Sequence, residues 1–221
     1  MTLSSDQIVI YVGPSLAIED AREILEADYR PPVRRGDIAA LMKSSSPPKI
    51  VGIVDGKFFQ SFAISPKEML PALEAGVVML GSSSMGALRA VELLPYGMIG
   101  VGRIFEMFRT GELDADDEVG MVYDEDSGRA RSVPMANIRV ALEAAAAEGI
   151  ITKDEERMLI KVIKDVYFPE RTYPLMLKLA GDSISASTRA SLSAFLKNGA
   201  PDAKRDDAMN LLREVKRIAA A

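Results

Sequence analysis

The chain has 221 residues, with 27 basic against 32 acidic side chains and a formal net charge of −5, which argues against non-specific nucleic-acid binding. It contains no cysteine and no histidine, which removes disulfides, thiolate nucleophiles, Cys-His pairs, the Ser-His-Asp triad and the usual zinc sites. No apolar stretch approaches the ~20 residues of a membrane span, and no basic-then-apolar signal region opens the chain, so the expected setting is cytoplasmic, with no membrane partner.

Gln7 to Val12 is a β-branched apolar run that predicts a buried strand. Gly13-Pro14-Ser15 turns it into a helix from Ala17 to about Ala27. A strand followed by a helix at the start predicts an α/β domain. Asp28 to Asp37 reads as a loop or short extended segment, because Pro31-Pro32 forbids a helix. Arg34 and Arg35, beside that corner, are candidates to hold an anion or an acidic partner; a plain solvated loop is the competing reading. Asp37 opens a short helix to about Lys43. Lys49 to Val54 predicts a second buried strand, and Asp55-Gly56 before Lys57 to Ile64 is a hairpin signal, so a mixed sheet is expected. Ser65-Pro66 starts a helix over Lys67 to about Ala75.

The stretch from Val77 to Leu94 compresses a strand, a serine-rich turn and a helix into under twenty residues. Ser82-x-Ser84-x-Gly86 approximates the small-x-Ser-x-Gly pattern of a nucleophile elbow; a serine-rich helix cap is the alternative. Without histidine, a serine nucleophile needs a lysine or a carboxylate as base. Lys67 stands in the first turn of a helix, where the positive end of the dipole disfavours the ammonium. If its strand and that of Ser84 are parallel neighbours, both residues emerge at one edge of the sheet. A surface pairing of Lys67 with Glu68 or Glu74 competes with that reading. Arg89 either pairs with Glu92 or holds an anionic substrate.

Pro95 to Gly102 reads as a glycine-rich loop without a phosphate fingerprint, followed by a helix from Arg103 to Thr110. Asp114 to Val119 is acidic but lacks EF-hand spacing, so a solvated or capping turn is expected and no metal site. Glu118 to Tyr123 and Ala130 to Val133 are candidate strands around an Asp126-Ser127-Gly128-Arg129 turn. From Pro134 onward only helices are predicted, one opened by a capping box at Thr152 to Glu155. The expected organisation is an α/β domain over 1–133, with a mixed sheet and helices, followed by an all-α half over 134–221.

The run Gly81 to Ala90 with Glu92-Leu93 resembles the core of the TfuA-like proteins. Gly13-Pro14-Ser15, Arg30-Pro31-Pro32, Gly100 to Phe105, Asp116 to Val119 and Asn137-Ile138-Arg139 match other motifs of that family, and the resemblance covers about residues 8 to 140. It implies a partner of YcaO enzymes, which exchange the oxygen of a peptide amide for sulfur. It further implies a Ser-Lys hydrolase that cleaves the C-terminal thiocarboxylate of a ThiS-type sulfur carrier, with no cofactor. By that resemblance Ser84, or Ser83 in its place, is the nucleophile and Lys67 the base, although Pro66 stands where a histidine is common. Gly86 is expected to contribute to the oxyanion site, and Gly100 and Gly102 to line a narrow groove for the carrier's tail. Arg34, Arg35, Arg89 and Arg103 are candidates to meet an anionic substrate or an acidic carrier. A non-catalytic adaptor and a small-anion-binding module are the alternatives.

Overall fold

The computed structural model describes residues 3–58, 63–124 and 130–221. Five strands form one sheet in the order β2-β1-β3-β4-β5: β1 (Ile8–Tyr11), β2 (Asp28–Arg30), β3 (Ile50–Ile53), β4 (Val78–Ser82) and β5 (Ile99–Val101). Every pairing in this sheet is parallel. β1 and β3 are buried along their whole length, as expected of continuous apolar runs covered on both faces.

The expected mixed sheet is therefore corrected among the described residues. Gly56 makes a parallel bridge to Val33, and no strand is assigned to residues 57–58 or 63–64. The centre of the expected hairpin arm, 59–62, lies outside the described residues. The turn at 126–129 also lies outside them; beside it, Tyr123 and Ala130 make an antiparallel bridge, and Asp116–Val119 forms a 3-10 helix.

Ten helices are present among the described residues, of which α1 (Ile18–Ile24), α2 (Asp37–Met42), α3 (Pro66–Glu74), α4 (Met85–Leu93) and α5 (Arg103–Thr110) fall between or beside the strands. α6 (Met135–Ala147), α7 (Lys153–Lys164), α8 (Tyr173–Leu179), α9 (Ala186–Asn198) and α10 (Ala203–Ala219) follow. Among the described residues, no helix is long and apolar enough to cross a membrane.

The chain divides into two compact units, but not at residue 133. One comprises Met1–Asp116 with Lys204–Ala221, and the other Asp117–Ala203. The last helix belongs to the α/β unit because its apolar face covers the sheet: Ala208, Leu211, Leu212 and Val215 share a core with Ile8, Ile10, Ile50 and Leu80. Gly52 makes room for it, since a Cβ there would lie 2.9 Å from Leu211 Cδ2 and 2.7 Å from Ile10 Cδ1.

The second unit packs α6 to α9 around Ile138, Leu142, Leu159, Ile163, Met176 and Leu192. The expected capping box opens α7: Glu155 N–H donates to Thr152 Oγ1 at 3.2 Å, and Thr152 N–H donates to Glu155 Oε2 at 2.7 Å. The acidic turn is tied into this unit by ion pairs. Fully buried Glu118 meets Arg139 at 2.8 Å and Lys164 at 3.6 Å, and Asp117 meets Arg171 at 2.6 Å.

Candidate active site

Three parallel strands bring their carboxyl ends to one edge, where open α/β sheets carry their sites. β4 ends at Ser82, and Ser84 N–H donates back to Ser82 C=O at 2.7 Å. Ser83, between them, has φ +64° and is the one non-glycine among the described residues with a positive φ. This tight, strained turn costs on the order of 1–3 kcal/mol, which the surrounding packing must offset. It swings the chain into α4 within two residues, which is the job of a nucleophile elbow.

Gly86 shows how the turn is pinned. A Cβ there would run into the Ile53 carbonyl, and Gly86 N–H donates to Val54 C=O at 3.3 Å. Gly86 is thus a close-packing glycine, and its N–H is engaged by Val54, the residue after β3, rather than held ready for an oxyanion. Met85 N–H, at the first helical position, is the donor that helix geometry leaves at this turn.

Ser84 sits at the N-cap position of α4, but its hydroxyl makes no capping bond. Instead Ser84 Oγ accepts a hydrogen bond from Lys204 Nζ at 3.0 Å. Both side chains are buried, the residues being 4% and 3% exposed. Lys204 Nζ lies 3.8 Å from Asp55 Oδ1. Asp55, two residues past β3, is 2% exposed and accepts three further bonds. Gly13 N–H reaches Oδ2 at 2.9 Å, Ser15 N–H reaches Oδ2 at 3.1 Å, and the Ser15 hydroxyl donates to Oδ1 at 2.7 Å. The result is a buried line of serine, lysine and carboxylate with its far end anchored to the loop after β1.

The lysine at the serine is therefore Lys204, not Lys67. Lys67 is exposed on the first turn of α3, where its backbone N–H donates to the Ser65 cap at 3.3 Å. Sequence reasoning missed Lys204, yet the same signal was there: a lysine at the second position of a helix, against the dipole. Asp55 was read as half of a hairpin turn; it serves instead as the acceptor that joins three loops.

The other candidates fall in different places. Ser83 is fully buried, and its Oγ has no hydrogen-bond partner, as is also true of Ser82. Arg89 pairs with Glu92 and donates from Nε to Ile64 C=O at 2.9 Å, so it takes the structural role. Arg34 and Arg35 are exposed, on a loop that Val33 fastens beside the site by donating to Asp55 C=O at 2.9 Å.

Val101 lies opposite Ser82 in register, so Gly102 and Arg103 emerge at the same edge as Ser84. Gly100, however, faces the ring of Phe105, which a Cβ would strike, and this makes it a packing glycine. Gly102, at φ +94°, abuts the Asp207 carboxylate. Asp207 Oδ1 accepts Arg103 N–H at 2.8 Å and Oδ2 accepts Ile104 N–H at 2.7 Å, capping α5 from α10. Burial pushes the Asp207 carboxyl up to about 6, although the two backbone donors pull the other way.

The family model for TfuA-like proteins matches residues 55–172, more than half of the chain, from Asp55 through Ser84. The chain belongs to the TfuA-like family. This membership supports a role associated with YcaO-type thioamidation. Lys204 lies beyond the matched segment of this TfuA-like protein. No curated protein matches the chain.

Proposed function

We propose that this protein hydrolyses the C-terminal thiocarboxylate of a ThiS-type sulfur carrier and supplies sulfide to a YcaO enzyme. The observation that carries this reading is the buried contact of Lys204 Nζ with Ser84 Oγ at 3.0 Å. In a chain without histidine, it supplies the base that serine chemistry requires.

Lys204, as the free amine, takes the proton of Ser84. Ser84 Oγ attacks the carbonyl carbon of the carrier's terminal thiocarboxylate. Met85 N–H, at the helix N-terminus, supports the oxyanion. The C–S bond breaks, sulfide leaves with a proton from Lys204, and an acyl-serine remains. Lys204 then removes a proton from water, and the hydroxide adds to the ester carbonyl. As the bond to Ser84 Oγ breaks, Lys204 returns that proton to Oγ, restoring serine and free amine while the released acid ionises to a carboxylate. Asp55 touches neither substrate nor nucleophile in this scheme; it is a positioning residue that fixes the direction of Lys204. Ser84 is preferred over Ser83 because Ser84 Oγ meets the lysine, whereas Ser83 Oγ is buried without a partner.

The test is sulfide release from a thiocarboxylated carrier. Wild type should release sulfide and Ser84→Ala should not, while Ser83→Ala retains activity. Equal sulfide release by wild type and Ser84→Ala would overturn the proposal.

A further inference from the structure

α8 and α9 enclose a groove of about 700 Å³ that shares no residue with the Ser84 site. Tyr173, Leu177 and Leu196 give it an apolar floor. Ala186, Ala190 and Ser193 follow one another at helical spacing along α9, so one wall is low. Ala186 and Ala190 are exposed. A low wall lets a second helix approach closely.

The charge around this groove is one-sided. Lys178, Arg189 and Lys197 line it, and no carboxylate does, in a chain whose net charge is −5. Arg189 is committed to the carbonyls of Leu177 and Gly181. Lys178 and Lys197 are exposed, and among the described residues neither has an acidic partner. The complementary surface is an apolar stripe flanked by carboxylates, the chemistry of an acidic amphipathic helix laid in a groove.

We propose that this groove docks an acidic amphipathic helix of the YcaO-type partner. The proposal rests on the family role, not on the hydrolase reading. The groove residues include no candidate nucleophile or base, so the surface recognises and does not transform. Lys178 and Lys197 steer the helix by charge, and the apolar floor takes its anchoring side chains.

The experiment is calorimetric titration of the purified YcaO-type partner into the full chain, with sulfide release from the carrier measured in parallel. The variants are Ala190→Trp, which fills the groove, and the exposed pair Lys178→Glu with Lys197→Glu, which reverses its charge without touching the core. Lys161→Glu, an exposed charge change on α7, is the control. Both groove variants should lose about tenfold or more in affinity for the partner, with the control and the carrier reaction unchanged. The charge-reversed pair should also show a weaker dependence on salt. Wild-type affinity in the charge-reversed pair would overturn the proposal. So would loss of carrier turnover in the groove variants, which would make the groove a carrier site, or loss of self-association, which would make it a contact between two copies. Ser84→Ala should bind the partner normally, so failure of the hydrolase reading leaves this result distinct.

Discussion

Lys204 Nζ stands 3.0 Å from Ser84 Oγ, and 120 positions of chain separate the two residues. The pair exists because α10 returns to the sheet after the whole helical unit and lays its first turn over the elbow. Replacing either lysine candidate tests which one serves the reaction. Lys204→Arg keeps a cation but not a group that can give up its proton at working pH. Sulfide release should fall by about 10²-fold or more, while Lys67→Arg should run at the wild-type rate. Single-turnover assays of both variants check this, and the reverse order would restore Lys67 as the base.

Asp55 should matter through Lys204. Asp55→Asn keeps the shape and can still accept from the Gly13 and Ser15 N–H groups, but it removes the charge that holds Lys204 Nζ in its direction towards Ser84. The expected result is a lower kcat with a displaced pH–rate profile and little change in KM. A profile that superimposes on wild type would reduce Asp55 to a loop anchor. Ser15→Ala, which removes only the 2.7 Å hydroxyl bond, should have a smaller effect in the same direction.

Asp207 makes stability depend on pH. Its folded value of about 6 lies above the ordinary 3.8, so between those values the folded chain holds more proton than the unfolded chain. Stability contributed by this group is therefore greatest at low pH and falls as pH rises through that window, by on the order of 3 kcal/mol in total. Asp207→Asn removes the titration. The difference in unfolding free energy, wild type minus variant, should fall between about pH 4 and pH 6 and then level off. Urea titrations across that range measure it, and a constant difference would contradict the assignment.

The glycines at the sheet edge should report on packing rather than on substrate. Gly86→Ala drives a methyl group into the Ile53 carbonyl, and Gly100→Val drives a side chain into the Phe105 ring. Each should cost about 1–3 kcal/mol or more, lowering the melting temperature and cutting activity on any substrate. A Gly100→Val protein that melts like wild type yet loses only carrier turnover would return that residue to a substrate groove.

How much of this was legible in the sequence follows from residue chemistry. Ile8–Tyr11, Ile50–Ile53 and Val78–Ser82 were readable because a strand buried on both faces must be apolar without interruption. Ile99–Val101 was read as a loop: it is three residues long, half-buried and centred on Gly100, so its run is too short to signal a strand. Asp55-Gly56 looked like a hairpin because the dipeptide is a common turn, whereas here the carboxylate is held by two backbone N–H groups from another loop. Ser84 announced itself through local spacing. Lys204 did not, since its partner is fixed by tertiary packing, and the dipole argument that singled out Lys67 applies equally to it.

The return of α10 to the sheet also fixes an order in time. During synthesis β1 to β5 emerge first, while Ile8, Ile10, Ile50 and Leu80 lack the helix that covers them. All of Asp117–Ala203 must be made before Lys204 exists. A nascent chain at that stage displays an apolar sheet face, and Ser84 lacks its lysine contact. The step that buries the sheet is the same step that delivers the amine, so Ser84 meets Lys204 only once that apolar face is covered, and a chain stalled before α10 is a target for chaperones that lacks the serine–lysine contact.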